Sequence, residues 1–290
     1  MKLSQRQIEH FHTEGFVLVE DGLKDSDLDP VIHEYEDYID HRARQLVEAG
    51  AISQLYEDQP FEKRLVHICR ENSEIYSELD IMYFRGRALF DFLRNENLLD
   101  LIEGLVGPEI TCNPIQHLRP KLPTGLTPGG QDAHMASWHQ DMAVMREEAD
   151  PFFIVTVWLP LAAATSENGC LRIIPRVNGQ GLLHQHSAVL QEAEMPEGEV
   201  LELPMHKGAV LLMHKETPHS SSPNTSDTVR WSMDLRYQPT GTPSGRSFWP
   251  DFVVRSRSNP DAVLDDHPEW CRLWSEALER PRGIPAYRWH

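Results

Sequence analysis

A chain of 290 residues with 40% hydrophobic and 25% charged residues has the composition of a globular protein, long for one domain and short for two. Its formal charge of −18 sets it against nucleic acid, whose binding needs a basic stripe, and no run approaches the ~18 apolar residues of a membrane span. The opening "MKLSQRQIEHF" has no apolar leader core, and Cys69, Cys112, Cys170 and Cys271 lie far apart without a C-x-x-C pair. That reads as a cytoplasmic protein with reduced thiols, neither a zinc ribbon nor a disulfide framework.

In chain order, "LSQRQIEHFHTEGFVLVEDG" reads as helix, turn and strand. Ser4 and Gln7 suit a capping box, Ile8 and Phe11 give an apolar edge, and Gly15 fits the position after the helix end. A longer helix is expected over 28–49, closed by Gly50, with further helices over 61–70, 86–94 and 97–105. The pattern then changes, and strands are expected at 110–118, 152–161, 170–174, 200–204, 209–214 and 229–237, separated by Pro, Gly, Asn and Ser. Residues 121–136 read as an exposed Gly/Pro-rich loop, and a last helix is expected over 268–279. Many short strands without alternating helices indicate a mostly β protein with N-terminal helices, its strands in an antiparallel sandwich or barrel.

Four histidines stand two residues before an acid: His12/Glu14, His139/Asp141, His214/Glu216 and His267/Glu269. Residues i and i+2 share a face on a strand and diverge on a helix, so only the middle two pairs, on or beside expected strands, can converge on a metal. Two histidines and a carboxylate with open positions are the ligand set of non-haem Fe(II) oxygenases. Beyond His214 come a second histidine, His219, and then Arg230 on the next expected strand. A planar guanidinium there suits the far carboxylate of 2-oxoglutarate. His214 fits a structural role better than a ligand's.

These residues carry a family resemblance. "FHTEGFVLVEDGL", "LLDLIEGLVGPEI", "WHQD", "ENGCLRIIP" and "MHKETPHSSSPNTSDTVRWS" together resemble the phytanoyl-CoA dioxygenase family of Fe(II)/2-oxoglutarate-dependent oxygenases, over most of the chain. The resemblance implies a double-stranded β-helix (jelly roll, cupin-like) core over 109–240, helical support over 1–108, and an extension or lid over 241–290, all in one domain. It implies Fe(II) on His139, Asp141 and His219, with 2-oxoglutarate and O2 as co-substrates. It places Arg230 on the co-substrate's far carboxylate, with Trp158, Lys121, His117 and Ser232 around that site. Phe248, Trp249, Arg255 and Arg257 could wall a lid and supply an anion contact, or the same stretch could be a packed surface strap. "PRVN" (Pro175 to Asn178) and "HSSSPN" depart from the family's usual "PGSH" and "HGSGPN". Asp141 itself favours hydroxylation, or desaturation and ring chemistry by the same oxidant, over halogenation, because related halogenases leave that carboxylate position to a small residue.

The expected activity is oxidation of an sp3 carbon in a small-molecule metabolite or natural-product intermediate, releasing succinate and CO2. The alternatives are a zinc-dependent hydrolase on the same three ligands, or a barrel that binds a metal or ligand without turnover. Neither monomer nor homodimer is legible in the sequence.

Overall fold

The computed structural model describes residues 1–128, 137–184, 187–279 and 288. Six helices and ten strands carry the fold among these residues. The helices are α1 (Gln5–Glu14), α2 (Asp25–Glu48), α3 (Phe61–Glu71), α4 (Arg87–Leu93), α5 (Glu96–Val106) and α6 (His267–Glu279). The Ser4/Gln7 capping box forms, and Gly15 takes the left-handed conformation at φ 82°. Along α2, Leu28, Val31, Tyr35, Ile39 and Leu46 are buried at intervals of three, four and seven, which puts one apolar stripe against the sheet side.

The strands are β1 (Phe16–Val19), β2 (Glu109–Cys112), β3 (His117–Lys121), β4 (Val155–Pro160), β5 (Leu171–Ile173), β6 (Leu201–Leu203), β7 (Val210–His214), β8 (His219–Ser221), β9 (Arg230–Pro239) and β10 (Phe252–Ser256). One antiparallel sheet runs β1-β7-β4-β9-β2-β10, with β3 also paired to β9; a smaller one runs β6-β5-β8. The large sheet is buried on both faces. Val155, Val157, Leu159, Trp231, Met233, Leu235 and Tyr237 pack into the core shared with the helices. Phe16, Trp158, Leu211 and Met213 pack on the other face with Leu171 and Ile173 of the small sheet. Burial on both faces explains the near-continuous apolar run at β4, as strand alternation is lost when neither face meets water.

Three differences from the expected elements have local causes. The stretch 110–118 is two strands, because Pro114 has no N–H and Asn113 turns the chain, its Oδ1 accepting from the Ile115 N–H at 2.9 Å. Both halves still serve one partner, β9, at 237–239 for β2 and 230–234 for β3. Lys121 belongs to β3 and not to the loop expected over 121–136, of which 129–136 lie outside the described residues. Finally, β8 and β10 were not expected, since "HSS" carries no apolar residue and "FVVRS" ends in a polar run.

β10 bears on the two roles left open for a pair of arginines of the extension. Arg255 is 4% exposed and donates to Glu96 at 2.5 Å, Glu103 at 2.7 Å and Asp100 at 3.1 Å, while Arg257 donates to Glu103 at 2.8 Å. They fasten the sheet edge to α5, as a packed strap would. The Arg257 hydrogen bond, with those from Lys2 and Arg255, holds the Glu103 carboxyl down at about 2, against 4.5 unperturbed. Its contribution to stability is complete above pH 4.5 and is lost as pH falls through that interval toward 2, because the unfolded chain takes up the proton first. Glu103→Gln should therefore flatten the acid limb of a urea-midpoint titration between those values; an unchanged limb would remove Glu103 from the account.

Candidate active site

The floor of the site is β9 with its neighbours β3 and β4. The even-numbered residues of β9 (Arg230, Ser232, Asp234, Arg236) alternate with the large apolar ones that face the helices. Register sets their neighbours: Trp158 and His117 flank Asp234, Arg119 and Pro160 flank Ser232, Lys121 flanks Arg230, and Thr156 flanks Arg236. Together with the small sheet these rows enclose a cavity of about 360 Å3.

His139, Asp141 and His219 meet at that cavity, their ligand-type atoms all within 4.8 Å of one another. They do so by a route other than a shared strand face. His139 and His219 lie opposite each other in an isolated antiparallel bridge, each N–H donating to the other's carbonyl at 3.0 and 2.9 Å. His139 thus adds one rung beside β8, whereas Asp141 opens a 3-10 turn over Asp141–Val144. Between them Gln140 is fully buried; its amide donates to the Gly181 and Glu216 carbonyls at 3.0 and 2.7 Å and accepts from the Leu183 N–H at 2.7 Å. Anchored there, it fixes the turn that brings Asp141 back toward the histidines.

The ring hydrogens are assigned by their partners. Nδ1 of His139 contacts the Ser137 carbonyl and Nδ1 of His219 the Thr217 carbonyl, both at 3.0 Å. A carbonyl only accepts, so each Nδ1 carries a hydrogen, which leaves Nε2 as the nitrogen on each ring that faces a metal. Burial, and then the neighbouring His219, push His139 down to about 4, which keeps its ring neutral. Burial alone would raise the Asp141 carboxyl, but the Arg236 guanidinium beside it, with both histidines, holds it well below the usual carboxylate range. Arg236 donates to Asp141 Oδ1 at 2.5 Å, and the Thr156 hydroxyl donates to Oδ2. Each carboxylate oxygen has a second lone pair, so these bonds orient the group without exhausting it.

The other expected residues fall out unevenly. Arg230 is 3% exposed, donates to the Gly169 carbonyl at 3.3 Å, and sits 5.3 Å from the Trp158 ring centroid, within cation–π reach. Its Nε and the Ser232 hydroxyl are buried without a hydrogen-bond partner among the described residues. Burial, followed by the nearby Arg119, pulls the Arg230 guanidinium down to about 10. Gly169, in the "NGC" stretch, must be glycine: its φ is +96° and a Cβ would come 2.6 Å from the Ser222 carbonyl. His117 lines the cavity with Nδ1 2.9 Å from Asp80 Oδ2. Lys121 is buried, and its ammonium donates to Ser221 Oγ and the Ser222 carbonyl, both at 2.6 Å, tying β3 to β8 at the cavity's edge.

Outside the cluster, His214 packs against Phe153 and Phe11, and the Glu216 carboxylate accepts the Gly179 and Gly181 N–H groups. Trp249 of the extension does line the cavity, joined by Arg246. Arg236, Thr156, Asp234, Arg119 and Arg246 were missed by the sequence reading. The signal for two of them was present: in "RWSMDLRY" every second residue is polar while the others are large and apolar, so Asp234 and Arg236 share the face of Arg230.

A metal fits this donor set. Two imidazoles and an ionised carboxylate converge from oriented positions, and a guanidinium Nε without a hydrogen-bond partner among the described residues belongs to an arginine on the same cavity, suited to a dicarboxylate.

Comparison with known proteins agrees. The family profile for phytanoyl-CoA dioxygenase (PhyH) matches residues 11–232. A methylphosphonate hydroxylase of Gimesia maris is 33% identical over 84 residues, 29% of this chain and 32% of that enzyme. The matched stretches span about a third of the length of the curated relatives. A solved non-heme monooxygenase, ThoJ in its apo form, shares the fold at a TM-score of 0.62 and 18% identity, covering 94% of this chain and 95% of its own. The epimerase SnoN, solved with Fe3+, alpha ketoglutarate and nogalamycin RO, shares it at a TM-score of 0.54 and 18% identity, over 84% and 88%. Among the described residues no helix is long and apolar enough to cross a membrane. With the profile covering most of its length, the chain belongs to the phytanoyl-CoA dioxygenase family, whose members are non-haem Fe(II) and 2-oxoglutarate-dependent oxygenases.

Proposed function

We propose that the protein hydroxylates an sp3 carbon of a small-molecule metabolite, using O2 and 2-oxoglutarate and releasing succinate and CO2. The observation that carries this reading is the meeting, on one cavity, of the His139/Asp141/His219 cluster with the buried Arg230 guanidinium. Iron(II) held with 2-oxoglutarate supplies an oxidant able to remove hydrogen from an unactivated C–H bond. The chain's own residues do the rest. Nε2 of His139 and of His219 and the Asp141 carboxylate hold the metal, with Arg236 and Thr156 keeping that carboxylate ionised and fixed in direction. Arg230 takes the far carboxylate of 2-oxoglutarate, Trp158 supports its guanidinium from the ring face, and the Ser232 hydroxyl adds a donor. The apolar walls at Ile115, Val144 and Leu171 exclude water from the reacting carbon.

The test is anaerobic. Fe(II) and then 2-oxoglutarate, added to metal-free protein, should give the weak visible charge-transfer band of the chelate, and His139→Ala should abolish it. Tight zinc binding with no such band, and hydrolysis without oxygen, would favour a zinc hydrolase instead.

A further inference from the structure

A buried lysine stands behind the ligand turn, on the connector between β7 and β8, and the proposed iron chemistry does not use it. Lys215 is 2% exposed, and its ammonium donates to the carbonyls of Ala149, Asp150 and Phe152 at 2.8, 2.8 and 2.7 Å. Three acceptors that cannot donate require three N–H groups, so the amine is protonated and its hydrogen bonds are complete. The carbonyls follow the 3-10 turn Glu147–Ala149, where a lysine can take the last C=O groups. Burying an ammonium costs free energy that an apolar side chain of similar length would not, and only a full set of acceptors offsets it. What the charge contributes here is a grip on three carbonyls at once.

The same residue also holds the near end of that segment. Its carbonyl accepts from the Met142 N–H at 2.9 Å, one residue after the ligand Asp141. The next carbonyl, that of Glu216, takes the Gln140 amide at 2.7 Å, one residue before it. The connector therefore brackets Asp141 on both sides, and it leads directly into His219. Any residue at 215 could make the main-chain contact; only the side chain reaches 149–152. The Asp150 carboxylate is engaged by Arg288 at 3.0 Å, which leaves the Lys215 ammonium to the carbonyls.

We infer that Lys215 is a positioning residue for the metal, fixing the far end of the 141–152 segment and through it the direction of the Asp141 carboxylate. This rests on the metal site of the oxygenase reading above. Arg236 and Thr156 orient the carboxylate from the sheet, whereas Lys215 orients the backbone that carries it. Without the ammonium three carbonyls lose their donor and the segment that begins at Asp141 shifts. His139 and His219 stay in place, because their own backbone bridge holds them together. The loss should therefore fall on one ligand of the three.

The experiment titrates metal-free protein with Co(II), whose visible d–d bands report both affinity and coordination. Lys215→Met, similar in length and apolar, should raise the Co(II) Kd about tenfold or more, as loss of a group that orients a ligand does. In an Asp141→Ala background the same replacement should change Kd by less than about twofold, because its route to the metal is gone. Lys215→Gln keeps an amide donor and should fall between wild type and Lys215→Met; it is read against the same background if Lys215→Met does not fold. The inference falls if the replacement leaves Co(II) affinity and bands as in wild type. It falls equally if the loss is as large in the Asp141→Ala background, which is what general loosening of the fold would give. Wild-type protein that takes up no Co(II) would strike the metal reading itself, whereas uptake that is indifferent to Lys215 strikes only this one.

Discussion

Replacing Arg236 by methionine should destabilise the metal-free protein by about 3–5 kcal/mol, the usual loss when one partner of a buried ion pair is removed. Arg236 is 2% exposed and Asp141 1% exposed, so the carboxylate left behind would be buried with no other guanidinium bonded to it among the described residues. It would protonate or drag water into the cavity, and both disturb the turn that Gln140 anchors. Arg236 also donates to the Ile115 carbonyl at 3.2 Å, which would lose its partner in the variant. A divalent metal supplies positive charge at the same carboxylate. Adding metal should therefore stabilise Arg236→Met more than it stabilises wild type. Urea unfolding of both proteins, with and without metal, measures all four states. A loss below about 1 kcal/mol, the range of an exposed pair, would mean the Arg236–Asp141 contact is not the buried bridge described here. Thr156→Val removes one hydrogen bond to the same carboxylate and should cost less, about 1.5–3 kcal/mol.

Arg230→Ala should raise the KM for 2-oxoglutarate about ten- to a hundredfold, the equivalent of one charged hydrogen-bonding contact worth roughly 1.5–3 kcal/mol. The effect should fall on KM and far less on kcat, because the far carboxylate stands apart from the bonds that change. Arg230→Lys should recover only part of the affinity: an ammonium keeps the charge but has no fork to pair with two oxygens. Steady-state kinetics over a range of 2-oxoglutarate concentrations decides the matter, and an unchanged KM would sink the assignment.

The helices and most strands were legible because their burial follows a period. The stripe of α2 and the alternation of β9 can be counted in the letters. β8 could not be, since its three residues gain their place from pairing with β5 and not from any apolar character of their own. The histidine-x-aspartate pair was picked out by a shared-strand-face argument that the structure replaces. His139 and Asp141 converge through a bridge rung and a 3-10 turn, which depend on Gln140 reaching Gly181, Leu183 and Glu216, contacts between segments distant in the chain. The same holds for Arg236: its presence on the cavity face follows from strand period, but its partner Asp141 lies on a different segment and no spacing rule connects them. Residues 241–257 divide at the cavity. Arg246 and Trp249 line it, while β10 is sewn to α5.

The bridge between His139 and His219 also bears on how the protein acquires its metal. The two rings face each other only after segments far apart in the chain have exchanged their backbone hydrogen bonds, and the carboxylate arrives only when a third region has seated Gln140. Contacts of such long sequence separation form late, after the loop-closure entropy has been met. Iron capture should accordingly mark the end of folding and not nucleate it, so that newly made chains complete the barrel empty and load afterwards, with metal uptake serving as a clock for the last step of assembly.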